Sequence, residues 1–300
     1  MKRSNTMNAE EMMKTIDVEG LPVIGRGANA VIYKLDDQKV VKVYNPGIKL
    51  DVVKIEYYNG KVFSDAGIRV AKVYDLITAG DEKYGIVTEY LEGEDFLSVM
   101  KKDRSRIEEL AGAFGRITRD MHSKEGDPAK LRPIQSVLLG FAKRLGASGA
   151  PQKETELIMN LFDRLEKKSS LLHGDMHPGN AMLVNGEPVL IDLSNGGCGH
   201  PIFDLTTMCS HFYMCSQFEE RRMASPILSD FAAEDAALVW NTFLKAYLDT
   251  EDEEKISKEQ EQIVTYTCAR DLIIYSLFKR GAVSPEHMMY LKKRVLEAVR

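Results

Sequence analysis

The chain has 300 residues, 44% apolar and 28% charged, the make-up of an ordinary globular protein long enough for two packed units. Asp and Glu (45) outnumber Lys and Arg (40), and the net charge of -5 argues against the basic face of a nucleic-acid binder. Every long apolar stretch is broken by Lys, Asp or Gly before membrane-spanning length, and the opening MKRSNTMNAEEMMKT has no apolar core after its basic residues, so neither a spanning helix nor a secretory signal is expected.

In chain order, the first ninety residues are strand-rich. VIYKL, KVVKVY, VAKVYDLI and YGIVTEYL are β-branched and aromatic runs bounded by Gly, Asp or Asn. Ahead of VIYKL, Gly25 and Gly27 with Ala28 and Asn29 lie between two strand-like runs. Such a loop suits a phosphate cover, because glycine lets backbone N–H groups approach an anion; a plain hairpin turn accounts for it equally simply. In KVVKVY, alternation puts Lys42 on the face of Val40 and Tyr44. A lysine among apolar neighbours calls for negative charge. Glu56, on the helix expected across KLDVVKIEYYNGKVFSDAG with a break at Gly60, supplies one partner and a nucleotide's phosphates another; the bland alternative is a strand-edge lysine reaching water.

A short connector at 91–95 leads into helical periodicity at 105–122, 134–146 and 153–168, and again at 202–217, 232–249, 257–278 and 285–299. Only LLHGDMHPGNAMLVNGEPVLIDLS, Leu171 to Ser194, returns to strands, with Asn185-Gly186 as a hairpin turn. Within it Asp175 is followed by Asn180 on a loop shaped by Gly174, Pro178 and Gly179, and Asp192 ends an apolar strand. One carboxylate can take the proton of an attacking hydroxyl; the other, with an amide oxygen, suits a hard, oxygen-preferring cation. Taken singly, each is also an ordinary turn or helix cap. The four cysteines Cys198, Cys209, Cys215 and Cys268 lack C-x-x-C spacing and read as reduced, buried thiols of a cytoplasmic protein.

An Asp, an Asn five residues on and a strand-borne Asp follow the layout of kinase catalytic and metal loops. HGDMHPGN with LIDLSNGGCGHPIFDL resembles the aminoglycoside phosphotransferase and choline kinase branch of the protein-kinase-like fold, over about Ile24 to Leu205. The resemblance implies an α+β, two-lobed protein. Residues 1–90 would form a small antiparallel-sheet nucleotide-binding lobe with one helix; 91–300 would form a larger, mainly helical lobe with the catalytic loop, metal site and acceptor region. It implies transfer of the ATP γ-phosphoryl group, with Mg²⁺, to a hydroxyl of a small molecule such as an aminoglycoside or amino alcohol. Asp175 would be the catalytic base, and Asn180 and Asp192 the metal ligands. Lys42, oriented by Glu56, would hold the α/β-phosphates under residues 25–30. Thr88 would back the adenine pocket, with main chain from Glu89 to Leu91 meeting the base. His173 and Asp204 would brace the catalytic loop. Departures from the pattern are Ala30, the Leu-Ser after Asp192, and His200 in place of an aspartate.

The acceptor region is less legible. The acid-rich run from Glu219 to Lys255 suits a cationic acceptor or a solvated surface, and Trp240, Tyr213 and Tyr247 suit an amine pocket or core. A silent nucleotide-binding module is the alternative to an enzyme. A protein-directed kinase is another, disfavoured by the short interval between Asp192 and Asp204.

Overall fold

The computed structural model describes residues 13–80, 83–147, 152–278 and 284–298. Most of the opening segment read for a secretory signal, residues 1–12, lies outside them, as does the last residue of the 285–299 run. The chain divides into two units, Met1–Gly93 with Val189–Ser194, and Glu94–Pro188 with Asn195–Arg300.

The first unit is built on six strands: β1 (Lys14–Thr15), β2 (Val23–Arg26), β3 (Ala30–Lys34), β4 (Lys39–Tyr44), β5 (Val73–Thr78) and β6 (Tyr84–Glu89), in the order β1-β5-β6-β4-β3-β2. All neighbours are antiparallel except β1, which runs parallel to β5 and is a correction to the all-antiparallel expectation. Both faces are covered. Val41, Val43, Ile77 and Val87 form one apolar cluster; Ala30, Tyr44, Val53 and Ile86 form another, to which α1 (Leu50–Asp65) contributes Val53 and Tyr57. Alternation along β4 therefore sends Lys42 to the helix-covered face.

The helix α1 runs unbroken through Gly60, against expectation. Its missing side chain serves packing: a Cβ there would lie 2.7 Å from Val73 Cγ1. The segment 189–194 is tied into this unit by backbone bonds, Leu190 N–H to Arg69 O at 2.9 Å and Ala71 N–H to Leu190 O at 3.0 Å. The amide of Asn59 on α1 donates to Leu193 O at 2.8 Å.

The second unit is mainly helical. After β7 (Glu94–Asp95) come α2 (Phe96–Lys102), α3 (Ile107–His122), α4 (Ile134–Ala147) and α5 (Gln152–Asp163). Three short strands and a fourth carry the central stretch: β8 (Ser170–Leu172), β9 (Ala181–Val184), β10 (Glu187–Leu190) and β11 (Gly197–Gly199). The expected turn joins β9 to β10, with Asn185 and Gly186 both at positive φ (53° and 84°), and β10 leads the chain back into the first unit. The strand β9 pairs with β7, and β11 with β8.

Then follow α6 (Ile202–Met208), a π turn at Cys209–Tyr213, α7 (Met214–Gln217), α8 (Glu219–Met223), α9 (Ala233–Leu248), α10 (Glu253–Phe278) and α11 (Pro285–Ala298). Where α3 meets α9, Gly115 permits the approach: a Cβ would lie 2.5 Å from Phe243 O. Phe114 packs on Phe243, ring centroids 5.8 Å apart. Trp240 is fully buried in the core, its Nε1–H donating to Gln260 at 2.7 Å, and the half-buried Tyr213 lies against it. Among the described residues no helix is long and apolar enough to cross a membrane.

Candidate active site

In the first unit, Lys42 Nζ donates to both Glu56 oxygens at 2.9 Å and to Asp192 Oδ1 at 3.0 Å. A strand, a helix and the returning segment thus deliver three charges to one point. The lysine is 17% exposed and Asp192 46%. Loss of hydration is the largest effect on the ammonium and lowers its pKa, yet the carboxylates of Glu56 and Asp192 outweigh it and leave the group above its ordinary value. Tyr44, two residues along β4 on the same face, donates its hydroxyl to Glu56 Oε2. Burial and then the Glu56 charge push that phenol above its usual range. Asp192 itself holds a left-handed backbone, φ 57°, and accepts from Ser194 Oγ at 2.8 Å. A non-glycine residue in that region is a strained outlier of the kind that clusters at functional sites.

The glycine loop is pinned by Asn45, whose side chain donates to Ala28 O at 3.0 Å and whose N–H donates to Asn29 O at 2.8 Å. With both carbonyls turned to Asn45, trans peptide geometry turns the N–H of Asn29 the other way. Neither Gly25 nor Gly27 has a positive φ; what they provide is room, since a Cβ on Gly25 would lie 3.3 Å from Ile32 and one on Gly27 meets only Ala30 O at 3.7 Å. At the other edge, Thr88 pairs with Val40 and Val73. The N–H groups of Glu89 and Tyr90 are engaged with Lys72 O and Gln38 O at 2.8 and 2.7 Å. In the segment expected to meet the base, these two nitrogens are therefore already hydrogen-bonded within the first unit.

In the second unit, His177 caps a 3-10 turn at Pro178–Asn180, its Nδ1 accepting the Gly179 N–H at 3.1 Å. Asn180 is buried and its Nδ2 donates to Asp175 O at 2.8 Å, which leaves Oδ1 as the atom able to coordinate a cation. Asp204 is fully buried and holds the loop before Asp175: His173 N–H and Gly174 N–H donate to its two oxygens at 2.7 Å each. His122 Nε2 meets the same carboxylate at 3.1 Å and its Nδ1 meets Tyr247 OH at 3.0 Å. Gly174 has φ +79°, and a Cβ there would lie 2.0 Å from Asn195 O, so only glycine fits. His200 accepts the Ile202 N–H on Nδ1 at 3.1 Å. Burial, then Lys168, lowers its pKa to about 4, so a neutral imidazole caps this helix start.

Lys42, Glu56 and Asp192 thus assemble in the first unit, and Asp175 and Asn180 share one loop in the second. The hydrogen bonds made by Tyr44, Ser194, His122 and His177 escaped the sequence reading. Tyr44 carried a usable signal, its place two residues from Lys42 on one strand face; the others depend on contacts between segments distant in sequence. Among the described residues no cluster of three or more His, Cys, Asp or Glu is arranged to hold a metal. The donors that Asn180 and Asp192 offer are hard oxygens, the chemistry Mg²⁺ accepts from few protein ligands.

A model of the phosphotransferase enzyme family matches residues 21–251, and the chain belongs to that family. It is a kinase-like phosphotransferase, with a sheet-bearing first unit and a helical second one. Similar solved structures include a thermostable mutant of aminoglycoside phosphotransferase APH(4)-Ia in a ternary complex with ADP and hygromycin B, at 10% identity over 94% of each chain with a TM-score of 0.60. The amicoumacin kinase hAmiN in complex with AMP-PNP, Ca2+ and Ami is 16% identical over 96% of this chain and 90% of that one, with a TM-score of 0.56. The gentamicin complex of APH(2")-IIa is 17% identical over 93% and 92%, with a TM-score of 0.55. At such identities the likeness is one of fold. No curated protein matches the sequence.

Proposed function

We propose that the chain transfers the γ-phosphoryl group of ATP, in the presence of Mg²⁺, to a hydroxyl of a small molecule. The observation that carries this reading is the Lys42–Glu56–Asp192 convergence, a buried ammonium fixed from both sides. Nucleotide ligands in similar structures, ADP with APH(4)-Ia and AMP-PNP with hAmiN, support it. Lys42 holds the α/β-phosphates, kept in place by Glu56, which Tyr44 steadies in turn. The loop of Gly25, Gly27, Ala28 and Asn29 covers the phosphates, and Thr88, Glu89 and Leu91 border the base. Asn180 and Asp192 are the oxygen ligands for the divalent ion, which when bound neutralises charge on the phosphate oxygens. Asp175 orients the acceptor hydroxyl and takes its proton late, on a loop whose backbone Asp204 holds.

Positioning and charge neutralisation carry most of such a reaction. The general base contributes roughly 10²–10⁴-fold. Asp175→Asn is therefore expected to lower kcat by about that factor while the KM for ATP stays within a few-fold. ADP release, measured over a panel of hydroxyl acceptors, tests it; wild-type turnover by the variant would remove Asp175 from its role. Absence of any thermal shift with ATP and Mg²⁺ would defeat the whole reading. ATP binding without turnover of any acceptor would favour the silent module instead.

A further inference from the structure

Asp175 stands at the head of a row of basic side chains in the second unit. His177 Nε2 lies 3.9 Å from Asp175 Oδ2. Because its Nδ1 accepts from Gly179, the ring proton sits on Nε2, facing the carboxylate. The ring of His177 meets that of His211 edge-on, centroids 5.7 Å apart. His211 rides on the π turn, a local widening of the helix that is frequent at functional sites.

Beside it, Ser210 Oγ donates to Asp271 Oδ1 at 3.0 Å. That one carboxylate faces two guanidiniums, Arg221 Nη2 at 2.7 Å and Arg270 Nη1 at 3.1 Å. Arg221 is spent: it also donates to the Ser210 carbonyl at 3.1 Å and meets His287 at 3.2 Å. Arg270 gives one N–H to Asp271 and remains 18% exposed, with four more donors on its fork. One carboxylate against two guanidiniums leaves a surplus positive charge. Burial first, then the charges of His177, Arg270 and Arg221, hold His211 well below its ordinary pKa, so this ring is neutral.

Part of what suggested a cationic acceptor is engaged within the chain. In the acid-rich run, Asp249 pairs with Arg119 at 2.6 Å, Glu253 with Lys245 at 2.7 Å, Glu219 with Arg222 at 3.8 Å and Asp235 with Arg104. Trp240 is core.

We propose that this row selects a hydroxyl acceptor that carries an anionic group, a carboxylate or a phosphate monoester, held by Arg270 and the N–H of His211 with its hydroxyl towards Asp175. The inference rests on the phosphotransferase reading of Asp175. ADP release is to be measured for a hydroxy acid against its uncharged alcohol, a sugar phosphate against its sugar, and an amino alcohol and an aminoglycoside. The anionic member of at least one pair should show a kcat/KM tenfold or more above its uncharged partner, and the two pairs separate carboxylate from phosphate.

Arg270→Met should raise the KM for that acceptor about 10- to 100-fold, the usual loss of a charge-assisted contact, and Arg270→Lys should raise it less. Asp271 keeps Arg221 and Ser210 in either variant, so the fold should survive. Turnover that prefers a neutral or cationic acceptor, or an unchanged KM in Arg270→Met, overturns the inference while leaving the proposed function standing. No turnover of any acceptor overturns both.

Discussion

Tyr44 shows how much of the phosphate-holding lysine depends on one neighbour. Its hydroxyl donates to Glu56, and the carboxylate in turn binds Lys42. Removing the hydroxyl leaves a buried carboxylate one donor short, which costs about 1–3 kcal/mol. Tyr44→Phe should therefore lower the melting temperature and raise the KM for ATP several-fold; a variant unchanged in both would show that Lys42 alone fixes Glu56. Alternation on β4 made Lys42, and through it Glu56, legible before any coordinates. It could not reveal that the tyrosine's hydroxyl, not its ring alone, completes the group. Nor could it reveal the left-handed backbone at Asp192, because aspartate enters that region with no signature beyond its short polar side chain.

At the scale of elements, period carried furthest where segments were long. The helices α3, α4, α9 and α11 begin and end within about two residues of the periodic runs. Strands β1, β7 and β11 have two or three residues, too few to show alternation. The run 202–217 read as one helix because a π turn adds a residue without disturbing the apolar character. Gly60 is the instructive miss: glycine is a poor helix former, but the tight neighbour is Val73, from β5. Gly60→Ala would gain about 1 kcal/mol of propensity and lose about 1–3 kcal/mol to overpacking. A net loss is expected in the urea midpoint, and Val73→Ala in the same chain should recover at least half of it. Additive losses in the double variant would show that the 2.7 Å approach is not the cause.

For the whole molecule, buried imidazoles set the response to acid. Burial and neighbouring cations lower His200 and His287 to about 4, and hold His211 well below its ordinary value. The unfolded chain takes up the His200 and His287 protons near pH 6.5, the folded chain only near pH 4. Between those values the unfolded state binds more protons, so stability rises with pH and is lost as pH falls from about 6.5 towards 4, by up to about 1.4 kcal/mol per unit for each group. The melting temperature should fall through that window. His200→Asn, which retains an acceptor for the Ile202 N–H, should fall less steeply. Parallel curves for the two proteins would mean that His200 does not titrate as its surroundings dictate.

The return of residues 189–194 to the first unit has a consequence for biosynthesis. A nascent chain that has just emitted Gly93 holds the whole sheet of the first unit, yet lacks the hundred-residue-distant strip that ties Arg69, Ala71 and Asn59 and supplies the second anion for Lys42. At bacterial to eukaryotic elongation rates that strip arrives about 5–20 s later. During that wait an ammonium group and an open backbone edge stand without their late-arriving partners, and a ribosome stalled there would hold a fragment prone to stick to its neighbours.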